Sequence, residues 1–250
     1  MAPAGAETIA RLSQAVLLTA AALTPAGDSE STAEVLYHGN WLPLSPTWLQ
    51  RFADDDAVAR FVQGSAAATL DAHWLRSSDP SWVHWNAAGA TALRCPFKVY
   101  ASVVPDELPV AFARCVEVLA ERRTRSFKLS RHPRGLLRPD RLVAYCATRA
   151  ETEPLVAALD GALAGFTPQG VPFTASASHP AVTWARDPPP EVAPYAPSWR
   201  RWVTRKLAAY LHASDAPEPC ERAAFALTRL GDDGVDPERW APGPGLWEAR

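Results

Sequence analysis

Two hydrophobic periodicities alternate between residues 95 and 186, and this pattern constrains the fold more than any other feature of the sequence. A repeat of two, apolar against polar, is typical of a half-buried strand, whereas a repeat of three or four is typical of an amphipathic helix. In chain order the segment predicts strand, helix, strand, strand, helix, strand and strand. The predicted strands span residues 95–104, 126–130, 141–146, 171–177 and 182–186, and the predicted helices span 107–123 and 152–166.

This order predicts an α+β fold, in which an antiparallel or mixed sheet carries helices on one face. Helical spacing also predicts helices on either side of the core, over residues 7–23, 46–63, 198–213 and 219–230. Ser45 is expected to cap the second of these, with Pro46 at the first helical position.

The proline-rich segment 187–197 reads as a linker. We therefore expect a domain over residues 1–190 and a helical C-terminal extension over 191–250. The domain would contain a helical N-terminal part, 1–94, and a catalytic-like core, 95–186.

Composition excludes several classes of protein. The formal net charge is −2, so no bulk basic surface for nucleic acid or anionic lipid is expected. The four cysteines lack the spacing of a structural zinc site and are too few to staple the chain, which favours a reducing, cytoplasmic compartment. The apolar run at residues 15–23 is too short to span a membrane.

Lysine is rare in this chain: of the 25 lysines and arginines, only Lys98, Lys128 and Lys206 are lysines. An arginine stays protonated at working pH, whereas a lysine amine loses its proton when burial or like charge lowers its pKa. Strand alternation predicts that Lys98, Tyr100 and Lys128 lie together on the face that the helices leave open.

Arginines accompany these lysines along the predicted strands and the loop between them: Arg134, Arg138, Arg141 and Arg186. Guanidinium groups match phosphate oxygens in bidentate geometry, and a lysine of lowered pKa acts as a general base. Such a set suits the β-elimination of phosphate. Ordinary solvent-facing strand residues would produce the same alternation, so periodicity alone leaves both interpretations open.

Residues 97–186 resemble the lyase domain of class III and class IV lanthipeptide synthetases and, more distantly, the phosphothreonine lyases that bacterial pathogens inject. The family pattern is a Lys-x-His-x-Ser strand, a helix, Phe-Lys, a basic loop, a strand ending in Tyr, a second helix and a strand pair ending near Arg. The corresponding residues are Lys98-Val-Tyr100-Ala-Ser102, Phe127-Lys128, Arg134 and Arg138, Arg141-Leu-Val-Ala-Tyr145, and Trp184-Ala-Arg186.

The resemblance implies elimination of phosphate from phosphoserine or phosphothreonine in a peptide, without a cofactor. Lys128 then matches the catalytic base, and Lys98 an electrostatic or carbonyl-polarising group. The phosphate-binding cations would be Arg134, Arg138, Arg141 and Arg186.

One departure concerns the general acid, because Tyr100 stands where the family has histidine. Tyr100 is the expected substitute, with His132 and His179 as alternatives, and loss of catalysis is a further reading. The remaining histidines, His38, His73, His84 and His212, lack partners at useful spacing and are interpreted as structural.

No kinase signature occurs in the chain, so the resemblance is to a freestanding lyase, and a separate Ser/Thr kinase would supply the phosphorylated substrate. Freestanding lyases of this kind belong to class V lanthipeptide and thioamide-containing peptide biosynthesis. The implied partner is a phosphorylated ribosomal precursor peptide. The alternative is an inactive member of the fold that binds this peptide for a kinase or another modifying enzyme.

Overall fold

The structure is a computed structural model that describes residues 4–24, 27–52, 54–89, 94–194, 198–243 and 245–247. The helices are α1 (Ala4–Leu23), α2 (Ser29–Tyr37), α3 (Pro46–Gln50), α4 (Asp55–Gln63), α5 (Ala67–His73), α6 (Leu108–Glu121), α7 (Arg149–Leu163), α8 (Trp199–Ala213) and α9 (Pro219–Asp232). The strands are β1 (Leu75–Ser78), β2 (Trp82–Asn86), β3 (Phe97–Ala101), β4 (Ser126–Ser130), β5 (Leu142–Cys146), β6 (Ala175–Ser176), β7 (Val182–Arg186), β8 (Val235–Asp236) and β9 (Ala241–Pro242).

Within the described residues, one sheet contains seven strands in the order β1-β2-β4-β5-β3-β7-β6. The neighbours from β1 to β3 in this order pair antiparallel. Strands β8 and β9 form a separate antiparallel pair. The predicted α+β fold is confirmed.

Helices α6 and α7 cover one face of this sheet. Trp85 of β2 stacks on Phe127 of β4, with ring centroids 5.0 Å apart, and also packs against Phe112 of α6. Leu155 and Leu159 of α7 belong to the same buried cluster. Removing a side chain like that of Phe127 would cost about 3–5 kcal/mol. The predicted helix-covered face is therefore confirmed, and polar strand residues are directed to the other face.

A capping arrangement fixes the start of α7. The side chain of Thr148 accepts a hydrogen bond from the backbone N–H of Glu151, and the Glu151 carboxylate accepts one from the N–H of Ala147. These bonds satisfy N–H groups that a helix start leaves without an intrahelical partner. They explain why α7 begins before the predicted residue 152.

The single helix predicted over residues 46–63 is wrong, because two helices occupy this stretch. Ser45 caps α3 as predicted, with its hydroxyl accepting from the N–H of Trp48. A second cap follows at Asp54, whose carboxylate accepts from the N–H of Ala57 and starts α4. Two capping residues within ten positions restart the helix where the apolar spacing alone predicts continuity.

The strand predicted over residues 171–177 is also shorter than expected, since only Ala175–Ser176 forms β6. Phe173 has a φ of 61°, a left-handed conformation that a continuous strand does not accommodate. The buried N–H of Phe173 donates instead to the hydroxyl of Ser13. This local turn replaces the first half of the predicted strand.

The chain divides into two compact units. The first comprises Met1–Asn40, Pro172–Ser176 and Ala185–Arg250, and the second comprises Trp41–Val171 and Ala177–Trp184. The predicted domain division at residue 190 stays a prediction.

The first unit contains α1, α2, α8 and α9, and it confirms both predicted C-terminal helices. Buried arginines tie it together: Arg200 donates to the carbonyl of Tyr37, and Arg222 donates to the carbonyl of Ala21. No helix among the described residues is both long enough and apolar enough to cross a membrane.

Candidate active site

Three strands of the second unit direct a set of side chains to the sheet face opposite α6 and α7. Lys128 of β4 lies opposite Val143 of β5, which in turn lies opposite Tyr100 of β3. Directly opposed residues of antiparallel strands project to the same face. Lys98 lies in phase with Tyr100 and opposite Tyr145. The structure therefore brings Lys98, Tyr100 and Lys128 onto one face.

Strand β2 adds two aromatic side chains to this face, Trp82 and His84, which the sequence analysis did not assign to a site. His84 lies directly opposite Lys128 in the β2–β4 register. Their neighbours Val83 and Trp85 point the other way and are buried in the core. The face is thus four strands wide at the level of Lys128.

The interpretation of His84 as a histidine without a partner is wrong. Its Nε2 lies 2.9 Å from Oδ2 of Asp79, which precedes β2. Asp79 is held in turn by the backbone N–H groups of Ser81 and Trp82, which both donate to Oδ1. The hydrogen bond from His84 is the largest of the effects that lower the pKa of Asp79.

Lys128 lies in an environment that disfavours its own charge. Burial, together with the positive charge of Lys98, lowers the pKa of Lys128 from 10.5 to about 8. Arg138 lowers this pKa further, whereas Asp140 raises it. The Lys128 Nζ lies 3.8 Å from the ring centroid of Trp82, so an aromatic face supports the ammonium form that remains.

Arg138 is fixed by a carboxylate and by two indole rings. Its Nε and Nη2 donate to the two oxygens of buried Asp140, at 2.9 Å and 3.1 Å. Its guanidinium carbon lies 4.9 Å from the ring centroid of Trp82 and 5.1 Å from that of Trp41. A planar cation is therefore presented next to Lys128 in a defined orientation.

Arg141 is fully buried at the start of β5. Its Nε donates to the carbonyl of Arg138 and its Nη1 to the carbonyl of Val103, each at 2.6 Å. Burial lowers the pKa of Arg141 to about 9, and the charge of Asp140 opposes this effect. Arg141 thus anchors the backbone of Arg138.

A row of buried polar atoms surrounds Arg141. Among the described residues, Nη2 of Arg141 and the hydroxyls of Ser102 and Ser130 have no hydrogen-bond partner. The N–H of Ser130 donates to the carbonyl of Arg141, and extending the β3–β5 register by one residue puts Ser102 opposite Arg141. Buried groups of this kind normally find a partner.

Two predicted phosphate ligands are not brought into this group of residues. Arg134 is exposed at the start of a short 3₁₀ helix, Gly135–Leu137. Arg186 lies in the first unit and donates to the carbonyl of Trp247, at 3.1 Å. Within β7 it is in phase with Val182 and Trp184, which pack in the hydrophobic core. Their roles stay predictions.

The two histidines considered as substitutes for Tyr100 form other contacts. Nε2 of His132, which is exposed, contacts the carbonyl of Pro80. His179 accepts from the N–H of Ala181 through Nδ1, while its own N–H donates to Asp160. Tyr100 itself is only 3% exposed.

No protein-family model matches the chain, and no curated protein matches its sequence. Among solved structures it is similar to an effector protein from Pseudomonas syringae pv. tomato strain DC3000, with 12% identity over 94% of this chain and 99% of that chain, and a TM-score of 0.52.

Two further structures give lower scores. The VirA (SpvC) phosphothreonine lyase effector of Chromobacterium violaceum aligns at a TM-score of 0.41 and 13% identity, over 51% of this chain and 71% of that one. The phosphothreonine lyase OspF of Shigella flexneri aligns at 0.40 and 10%, over 70% and 98%. The chain therefore shares its fold with the Pseudomonas effector.

Proposed function

We propose that this protein is a phosphoserine or phosphothreonine lyase that acts on a phosphorylated ribosomal precursor peptide of the lanthipeptide type. The observation that carries the proposal is Lys128, whose pKa is lowered to about 8 on a sheet face that also bears Lys98, with the loop residue Arg138 against the same Trp82 ring. At pH 7 about a tenth of such an amine is neutral, against less than about one part in a thousand at its ordinary pKa. A neutral amine beside fixed cations suits proton abstraction next to a bound phosphate.

The reaction consists of one elimination. The neutral Nζ of Lys128 takes the Cα proton of the phosphorylated residue, and the released electron pair forms the Cα–Cβ double bond. The bond from Cβ to the phosphate oxygen breaks, which yields dehydroalanine or dehydrobutyrine. The electron pair of the broken bond leaves with the phosphate oxygen, and no net oxidation or reduction occurs, so the step needs no redox partner.

The cations have separate roles in this proposal. Lys98 stabilises the negative charge that develops on the peptide carbonyl when the Cα proton leaves. Arg138 holds the departing phosphate, and buried Arg141 positions Arg138 through its hydrogen bond to the Arg138 carbonyl. Arg134 and Arg186 enter only through the family resemblance. Tyr100 is the acid that this resemblance suggests, although its small exposure limits its access to a substrate.

Peptide binding without catalysis is the second candidate function. The near-complete burial of Tyr100 favours it, because a buried phenol is poorly placed to protonate a bulky leaving group. In that case the protein would present the precursor to a separate kinase or to another modifying enzyme.

Mass spectrometry of a phosphoserine or phosphothreonine peptide incubated with the purified protein tests the proposal. We expect loss of phosphoric acid with the wild-type protein and with Lys206→Ala, and no loss with Lys128→Ala. Lys206 is a matched control, since it is a lysine of the first unit that pairs with Asp233 at 3.4 Å. An unchanged peptide mass with tight binding would support the peptide-binding function, and equal activity of all three proteins would contradict the role of Lys128.

A further inference from the structure

The general acid of the proposed lyase is the part of the site that the sequence leaves open. An elimination that begins at Cα and expels phosphate from Cβ needs a base and an acid within the span of one amino acid residue. Directly opposed residues of neighbouring strands have Cβ atoms about 5 Å apart. His84 is in that relation to Lys128, whereas Tyr100 lies two strands away, across Val143.

Asp79 determines how the imidazole of His84 is used. A carboxylate only accepts hydrogen bonds, so the 2.9 Å contact places a proton on Nε2 of His84. The second nitrogen, Nδ1, is then the one left to exchange a proton with a substrate. The contact has the arrangement of catalytic pairs of aspartate and histidine, in which the carboxylate fixes the orientation and tautomer of the imidazole.

The position of Asp79 is itself rigid. Its Oδ1 accepts from the N–H groups of Ser81 and Trp82, at 2.7 Å and 2.8 Å, and its own N–H donates to the carbonyl of Trp82. Four hydrogen bonds therefore connect Asp79 with the β1–β2 turn and His84. His84 keeps partial exposure, with 29% of its side chain accessible, whereas Tyr100 is nearly closed off at 3%.

We propose that His84 is the general acid of this reaction and that Asp79 is its positioning residue. The inference rests on the proposed function. As Lys128 takes the Cα proton and the Cβ–O bond breaks, Nδ1–H of the His84 imidazolium protonates the leaving phosphate oxygen. The products are the dehydro peptide, hydrogen phosphate, a Lys128 ammonium and a neutral His84. Proton exchange with water restores both side chains.

A comparison of two leaving groups tests His84 separately from the rest of the site. Phosphate needs a proton to leave, whereas chloride, from a peptide that contains β-chloroalanine, does not. We expect His84→Gln to lower single-turnover elimination from the phosphopeptide by roughly 100- to 10,000-fold. The loss on the chloro peptide should stay under about tenfold. Lys128→Ala should abolish both reactions, because both begin with removal of the Cα proton.

Asp79→Asn provides a second, milder variant that removes the negative charge. Its single amide oxygen can keep the bonds from the N–H groups of Ser81 and Trp82, but the amide NH2 then replaces the oxygen that faces Nε2 of His84. It should show the same selective loss on the phosphopeptide, which a merely structural defect would not produce, because a misfolded site loses both substrates equally. Tyr100→Phe is the matched control and should affect the two substrates equally.

The outcomes separate the two claims. Wild-type protein that eliminates neither leaving group contradicts the proposed function. Active wild-type protein whose His84→Gln and Asp79→Asn variants lose both substrates equally, or lose neither, contradicts the role of His84. A selective loss in Tyr100→Phe instead would assign the acid to Tyr100.

Discussion

Lys128 and Lys206 lie in contrasting surroundings, which favour an ion-paired ammonium at Lys206 and a neutral amine at Lys128. Lys206 keeps a carboxylate partner, Asp233, and a side chain that is 38% exposed. Lys128 is more buried, and its pKa is lowered by this burial and by the positive charges of Lys98 and Arg138, against the opposing charges of Asp140 and Asp79. Its ammonium form is therefore disfavoured, which costs stability in the folded state and supplies a base near neutral pH.

The rate of elimination should depend on pH through Lys128. Because only the neutral amine removes the Cα proton, single-turnover elimination from the β-chloroalanine peptide, which needs no general acid, should rise with pH and level off above about pH 8. Lys98→Met removes a like charge, so it should raise the pKa of Lys128 and move this limb to higher pH. Measured rates from about pH 6 to about pH 10 check both points. A limb that stays in place in Lys98→Met would contradict the electrostatic coupling of the two lysines.

Lys128 should also destabilise the fold at neutral pH. Its pKa is about 8 in the folded chain and 10.5 as the reference value, which corresponds to at most about 3 kcal/mol. Below pH 8 both states are protonated and the cost is complete. Between pH 8 and 10.5 only the unfolded state keeps the proton, so the cost is relieved as pH rises.

Lys128→Met should therefore raise the free energy of unfolding at pH 7, by up to about 3 kcal/mol. The difference from wild type should shrink toward pH 10.5. Urea unfolding of both proteins at several pH values measures this difference. A variant that is less stable than wild type at pH 7 would mean that the contact with Trp82 outweighs the burial of the charge.

At the scale of elements, strand alternation correctly predicts which residues of β3, β4 and β5 face the core, although it overestimates the length of β6. Phe127 and Lys128 illustrate this, since one lies in the core and the other on the open face, as predicted. Strand β2 has the same alternation in Trp82-Val83-His84-Trp85, but four aromatic or branched residues in a row conceal the period of two. The sequence pattern therefore does not predict this strand or the position of His84 on the open face.

Contacts between the side chains of the site do not follow from strand alternation. Pairings such as Asp79 with His84 or Arg138 with Asp140 depend on side-chain rotamers and on turns, which periodicity does not encode. The sequence predicts cations near the site, but it does not predict that the Arg141 guanidinium donates its hydrogen bonds to two backbone carbonyls. Local patterns thus predict faces, and contacts within a face require the structure.

At the scale of the whole molecule, the shared fold and the low identity have one explanation. The core requires only apolar residues of suitable volume at alternating positions, which many sequences satisfy. The similarity to the Pseudomonas effector, at 12% identity over 94% of this chain, is of this kind. The proposed chemistry depends instead on a few side chains, so it must be tested on them directly.

Phosphate binding provides a test that acts on the whole molecule. A ligand that binds only the folded state raises the free energy of unfolding, by about 2.7 kcal/mol at 100 times its dissociation constant. Inorganic phosphate should therefore raise the midpoint of thermal unfolding of the wild-type protein. Arg138→Met combined with Asp140→Leu should abolish this rise, because the variant lacks the guanidinium that binds phosphate. Both partners are replaced so that no buried charge is left unpaired. The single variants Arg134→Leu and Arg186→Leu test whether these two arginines, which are predicted from the resemblance alone, contribute to the rise. An undiminished rise in the double variant would contradict phosphate binding by Arg138, whatever the single variants do.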